Sequence, residues 1–148
     1  MIPPRRATLA LALCTILVGL RPGAATPPVG EVAPVDRSAI VEAVRPSFEW
    51  LVGGTGLLGP GPASFVRPEI RVIGDWAFIR SELRRSDGAS LDPQAVPQGG
   101  GLVRPVTAAA LLIRRSERWY LVLSDLEREA AAHLADFARY RPPPGLLP

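Results

Sequence analysis

The chain has 148 residues, of which 17 are basic and 14 acidic, and all the basic residues are arginines. Arg5, Arg6 and Arg21 lie in the first 25 residues, which hold no acidic residue, so 14 basic and 14 acidic residues remain in the rest of the chain. Balanced charge lacks the basic excess that binds nucleic-acid phosphates, so no nucleic-acid partner is predicted.

The N-terminal segment has the pattern of a secretory signal peptide. Arg5 and Arg6 precede an apolar run over residues 7–20, and the small residues Gly23-Ala24-Ala25 follow. We predict a signal peptide over residues 1–25, cleavage after Ala25 and a periplasmic or secreted protein. The run is shorter than the about 20 residues of a membrane span, so no stable anchor is expected after cleavage. An uncleaved leader that anchors the chain is the alternative.

A proline-rich linker and a helix follow the leader. The linker is predicted over residues 26–36, where the apolar residues show no period. Asp36 is suited to cap a helix that starts at Arg37 or Ser38 and ends at Gly53-Gly54. Pro46 predicts a kink in this helix, or two short helices. The apolar side chains that recur at helical spacing are Ile40, Val44, Phe48 and Leu51.

Two β-hairpins are predicted after this helix. Their turns are Gly74-Asp75 and Ser116-Glu117. A loop over residues 87–105, rich in glycine and proline, separates the hairpins and is expected to be mobile. The strands are expected over residues 65–73, 76–84, 106–114 and 118–124.

A helix and an extended tail are predicted at the C-terminal end. The helix runs from residue 126 to about residue 140 and ends before Pro142-Pro143-Pro144, and residues 142–148 form the tail. A single domain over residues 37–141 is therefore expected. Its class is α+β, with an N-terminal helix packed on a curved antiparallel sheet of about four strands, plus a C-terminal helix.

The predicted core lies between the first helix and the sheet. It is expected to contain the three tryptophans, Trp50, Trp76 and Trp119. Besides Phe48 of the helix, the other side chains expected there are Leu111, Leu121 and either Trp76 and Phe78 or their neighbours on the other face of the strand.

The stretch from residue 37 to residue 123 resembles a group of small exported bacterial proteins with a cystatin-like or nuclear-transport-factor-2-like fold. The residues that carry the resemblance are Arg37-Ser38-Ala39-Ile40, Arg45-Pro46, Phe65-Val66, Arg71-Val72, Gly74-Asp75-Trp76-Ala77-Phe78, Ala110-Leu111-Leu112 and Trp119. The resemblance implies a cone-shaped sheet closed by a helix, which can hold a ligand pocket. The wider superfamily includes isomerases, cyclases and binding modules.

One face of the second strand carries the candidate ligand-binding residues. Strand alternation places Trp76, Phe78, Arg80 and Glu82 on that face. An aromatic wall with an arginine suits an anionic or planar ligand, so Trp76, Arg80 and Glu82 are predicted to bind one if the face is concave. If the face is convex, Arg80 and Glu82 are solvated or paired locally.

No catalytic residue, metal site or cofactor is predicted. Cys14, the only cysteine, lies in the leader, and His133 is the only histidine. A thiolate site or a histidine-rich site therefore cannot form in the exported part. His133 is expected to be a surface or half-buried residue of the last helix.

This composition predicts a non-catalytic module that binds an unknown small ligand or protein. The alternative, implied by the resemblance, is a pocket enzyme of the isomerase or cyclase type. A closed apolar pocket with a buried carboxylate would favour the enzyme, and a filled core would favour the module.

Overall fold

The computed structural model describes residues 33–97, 102, 104–128 and 132–148. The predicted leader and most of the predicted linker lie outside the described residues. Helices alternate with two β-hairpins, and a short 3-10 helix spans Pro93–Ala95. The helices are α1 (Pro34–Leu51), α2 (Thr55–Leu58) and α3 (Ala132–Ala138), and the strands are β1 (Ser64–Ile73), β2 (Trp76–Arg84), β3 (Thr107–Arg115) and β4 (Arg118–Leu126).

The four strands form one antiparallel sheet in the order β1-β2-β3-β4. With α1 packed against this sheet, the predicted α+β class is confirmed. The strand bounds lie within two residues of those predicted. Both predicted two-residue turns are present: Gly74 has a φ of 59°, and Ser116 and Glu117 have φ values of 47° and 63°. Two successive positive φ values are those of a type I′ turn, which matches the twist of the strands it joins.

α1 runs as one helix through Pro46, so the alternative of two short helices is wrong. The buried side chains of α1 are the predicted stripe: Ile40, Val44, Phe48 and Leu51. Phe48 and Leu51 lie beyond Pro46 and are buried against the same sheet as the first two. Their burial favours a continuous helix over the break that the proline alone would cause.

We call the side of the sheet that packs against α1 the helix face. Three small side chains of this face, Ala77, Ala108 and Ala110, are fully buried in the same cluster as Phe48 of α1. The buried sheet residues of this face are Ala77, Ile79, Ser81 and Leu83 of β2, Ala108, Ala110 and Leu112 of β3, and Trp119 and Leu126 of β4.

The opposite side of the sheet, the back face, is covered by α3 and the C-terminal segment. Phe137 of α3 packs edge-to-face on Phe78, with ring centroids 5.7 Å apart. Leu146 is fully buried in the same cluster, and an Arg71 nitrogen donates to the Leu147 carbonyl oxygen at 3.3 Å. The C-terminal segment is therefore packed onto the sheet as a third layer.

Two residues predicted for the core under α1 lie elsewhere. Leu111 is buried on the back face together with Phe78, and Leu121 is 39% exposed. Phe48 instead meets the neighbours of Phe78 on β2, which was the other arrangement left open. For Leu111 the cause is the alternation of the strand, because Leu111 and Leu112 point to opposite faces and only Leu112 faces α1. Leu121 pairs with Leu112 on the helix face, but it belongs to the edge strand β4 and stays partly exposed.

The prediction that Trp50 belongs to the core is wrong, since its side chain is 70% exposed. Trp50 follows Phe48 by two positions, which is about 200° around a helix and away from the buried stripe. Trp119 is buried and Trp76 is partly buried.

The last helix is shorter than predicted. Leu126 ends β4, because its side chain is buried on the helix face and so continues the strand pattern. The loop predicted to be mobile also contributes to the core: Leu91 and Val96 are 4% and 3% exposed. No helix in the described part of the chain is long and apolar enough to cross a membrane.

Candidate functional site

The three predicted ligand-binding residues of β2 do not share one site. Arg80 and Glu82 line a shallow hollow of about 180 Å³ together with Arg67, Glu69 and Ser81. Trp76 packs instead against the back-face cluster, at the other end of β2. Four residues of strand separate Trp76 from Arg80, which is about 13 Å at 3.3 Å per residue.

The two charged residues predicted to bind a ligand, Arg80 and Glu82, are already paired. Arg80 forms a bidentate salt bridge with Glu127, with Nε–Oε1 and Nη2–Oε2 distances of 2.6 and 2.8 Å. The Glu127 carboxylate raises the pKa of Arg80 above its ordinary value. Glu82 accepts a hydrogen bond of 2.7 Å from Arg84. An anionic ligand would have to displace Glu127 from Arg80, so the geometry fits the alternative of local pairing, and ligand binding here stays a prediction.

The layer between α1 and the sheet is filled with side chains. Phe48, Ile79 and Leu112 each have no accessible surface, so no water-sized space adjoins them. Ser81 is the one polar residue that is buried among the described residues, and its hydroxyl lies 3.3 Å from the Val66 carbonyl oxygen. This layer is where a pocket of the expected cone-shaped fold would lie.

The largest exposed apolar group lies at the C-terminal end of α1. Trp50 lines a hollow of about 410 Å³ with Leu51, Gly53, Gly54 and Pro97. The chain reverses here, because the amides of Gly53 and Gly54 donate to the carbonyl oxygens of Trp50 and Glu49 at 3.1 and 2.8 Å.

Glycine is required at position 53 for two reasons. Its φ is +90°, which side chains rarely adopt, and a Cβ there would lie 3.2 Å from the Pro97 ring. The missing side chain lets the Pro97 ring lie close to Gly53, beside the hollow that Trp50 also lines. This hollow was not predicted from the sequence, although the angular position of Trp50, away from the buried stripe of α1, indicates an exposed indole.

A second exposed apolar region lies beside β4. Tyr120 of β4 is 49% exposed and Tyr140, which follows α3, is 47% exposed. A groove of about 300 Å³ runs between the two elements and is lined by Leu123, Ser124, Asp125, Asp136, Arg139 and Tyr140.

No metal site is found within the described residues, where no group of three or more His, Cys, Asp or Glu side chains is arranged to hold an ion. His133 belongs to α3, and its side chain lies outside the part of the chain that the structure describes.

Comparison with protein-family models, curated proteins and solved structures gave no match to this chain. The resemblance to the cystatin-like and nuclear-transport-factor-2-like proteins therefore stays a prediction.

Proposed function

We propose that this protein is an exported, non-catalytic binding module that holds a small ligand or a partner protein at the Trp50 hollow. The observation that carries the proposal is the 70% exposure of Trp50 beside a helix stripe that is otherwise buried. Tryptophan is enriched among the residues that dominate binding energy at interfaces. Covering most of this side chain would contribute about 3 kcal/mol at 25 cal/mol per Å².

The hollow is suited to an apolar or planar group. Its lining combines the Trp50 and Pro97 rings and the Leu51 side chain with two residues that have no side chain, Gly53 and Gly54. Close contact between Gly53 and Pro97 supports a preformed shape, which lowers the entropy cost of binding.

The alternative of a pocket enzyme of the isomerase or cyclase type places the ligand between α1 and the sheet. Phe48, Ile79 and Leu112 occupy that layer without accessible surface. A ligand would enter only by separating α1 from the sheet. The filled layer supports the binding module over the enzyme.

Titration with the apolar dye 1-anilinonaphthalene-8-sulfonate tests the site. We expect saturable binding by the exported chain, its loss in Trp50→Ala, and its retention in Tyr140→Ala, a matched control that also removes an exposed aromatic ring. Equal binding by both variants would contradict the proposal. Amide shifts centred on Ile79 and Leu112 in a nuclear magnetic resonance titration would instead support a pocket beneath α1.

A further inference from the structure

The two edges of the sheet differ in how open they are to another strand. β1 carries Pro68, which has no amide hydrogen, and its pairing with β2 is irregular between Val66 and Glu69. Arg67 has a positive φ of 48°, and Arg37 donates to the Pro68 carbonyl oxygen at 2.6 Å. A missing amide donor and a backbone turned by a positive φ oppose strand addition at the β1 edge.

β4 is the other edge, and within the described residues it pairs with β3 alone. Its sequence contains no proline, its one bulge lies at Val122 in the middle of the strand, and Tyr120 and Leu121 are 49% and 39% exposed. We infer that β4 is a self-association edge, on which β4 of a second copy of this chain pairs antiparallel to give a continuous eight-stranded sheet.

The register of this pairing follows from the main chain. Arg115 and Arg118 flank a two-residue turn and form a hydrogen-bonded pair, in which the main-chain N–H and C=O groups of each residue point towards the other strand. Because this direction alternates along a strand, the N–H and C=O groups of the next residue, Trp119, point away from β3. At the other end of β4 the Glu127 amide donates to Thr107, so Ser124, three residues earlier, also points away. Trp119 and Ser124 are five residues apart, so a regular strand would point their N–H and C=O groups in opposite directions. Both point away from β3 because Val122 is the extra residue of a bulge: Leu121 and Leu123 pair with Leu112 and Leu111, which are adjacent in β3. Trp119 of one copy therefore lies opposite Ser124 of the other.

This register brings opposite charges together. Trp119 and Leu126 face α1. Neighbouring side chains of a strand point to opposite faces, so Arg118 and Asp125, which precede these two residues, lie on the back face. With Trp119 opposite Ser124, Arg118 of each copy faces Asp125 of the other, twice per dimer. Neither Arg118 nor Asp125 has an ion-pair partner among the residues described, so both are available to pair across the dimer. The register in which the second strand is shifted by two residues differs in this respect. There Arg118 would face Glu127, which Arg80 already holds.

Sedimentation equilibrium with charge-reversal variants tests the inference, using chain purified after export. We expect a wild-type dimer, a dissociation constant raised about tenfold or more by Arg118→Asp or Asp125→Arg, and recovery in the double variant, since like charges opposite each other destabilise strand pairs. Arg85→Asp makes the same charge change just after β2, which β3 separates from β4, and should leave the dimer intact.

Hydrogen exchange gives a readout that does not depend on side chains. The amides of Trp119 and Ser124 should exchange slowly at concentrations where the dimer forms and faster on dilution. A monomeric wild type, failure of the double variant to recover, or fast exchange of both amides in a dimer would each overturn the inference. Dissociation by Arg85→Asp to the same extent would do so too.

Discussion

Arg45 of α1 donates a hydrogen bond of 2.9 Å to the main-chain oxygen of Ala63, 18 residues later in the sequence. The amide of Ala63 in turn donates to Glu49, one helical turn beyond Arg45, at 3.0 Å. The Arg45 guanidinium also lies 4.8 Å from the ring centroid of Phe65. Side chains of α1 thus hold both polar groups of the residue from which the chain enters β1.

This clamp predicts that Arg45→Ala destabilises the fold by about 1–2 kcal/mol, because it removes a charged hydrogen bond and a cation–π contact. Arg45→Lys should recover only part of the loss, since an ammonium lacks the planar fork. The measurement is the free energy of unfolding in urea. Arg85→Ala, which removes an exposed pair with Asp87, is the matched control and should cost less than about 0.5 kcal/mol. Equal losses for the alanine variants at positions 45 and 85 would contradict the clamp.

The layer under α1 predicts a larger effect for Phe48→Ala. Phe48 has no accessible surface and contacts Phe65 edge-to-face, with centroids 5.6 Å apart. Truncation of a buried phenylalanine costs about 3–5 kcal/mol, against a total of about 5–10 kcal/mol for a domain of this size. Urea unfolding should show most of the stability lost. A loss as small as that of Arg85→Ala would mean that α1 does not cover the sheet.

The back-face layer predicts that the C-terminal segment stabilises the fold. Leu146 is fully buried against the sheet, so Leu146→Ala should lower the free energy of unfolding by about 2–4 kcal/mol. Val35→Ala is the matched control, because the Val35 side chain is 82% exposed. If thermal unfolding shifts no further for Leu146→Ala than for the control, the segment contributes nothing to the sheet.

The Glu42–Arg45 pair predicts a pH dependence of stability. The hydrogen bond from Arg45 lowers the pKa of Glu42 below its ordinary value of 4.5. A carboxyl group whose pKa is lower in the folded state stabilises that state above its unfolded pKa, and the contribution disappears as the pH falls through the folded pKa.

We therefore expect the urea midpoint of the wild type to exceed that of Glu42→Gln at about pH 6, and the gap to close towards about pH 3. The pKa of Asp87 is lowered by a hydrogen bond from the Ala89 amide, and that of Asp92 by its contact with Arg104. Both groups are present in the wild type and in Glu42→Gln, so their effect on stability cancels in the difference between the two proteins. A gap that widens on acidification would have the wrong sign for this pair.

The leader predicts the N-terminus of the exported protein. Cleavage after Ala25 would start the mature chain at Thr26, and mass spectrometry of the exported fraction should find that residue or one within a few positions of it. Recovery of chain beginning at Met1 from the cytosol would contradict export, and recovery of it from the membrane would favour the uncleaved anchor.

Local patterns in the sequence predicted the elements of this fold well. The two hairpins and their turns follow from strand alternation around Gly74-Asp75 and Ser116-Glu117, and the buried stripe of α1 follows from helical spacing. These features depend on residues close together in the chain, so they are visible without knowledge of the tertiary structure.

The assignment of each face of the sheet was decided only by tertiary packing. Both faces of β2 and β3 carry large apolar side chains, so their pattern alone does not say whether Phe78 and Leu111 or Ile79 and Leu112 meet α1. The C-terminal segment decides it by covering the first pair with Leu146.

In the candidate sites too, local sequence patterns predicted some features and tertiary packing alone decided others. The sequence by itself placed Trp76, Arg80 and Glu82 on one face of a strand, which is a local property. Only the fold brought Glu127 to Arg80, across 47 residues of chain, and set Pro97 against Gly53 to form the hollow beside Trp50. Such contacts depend on how distant segments pack, and no local period in the sequence encodes them.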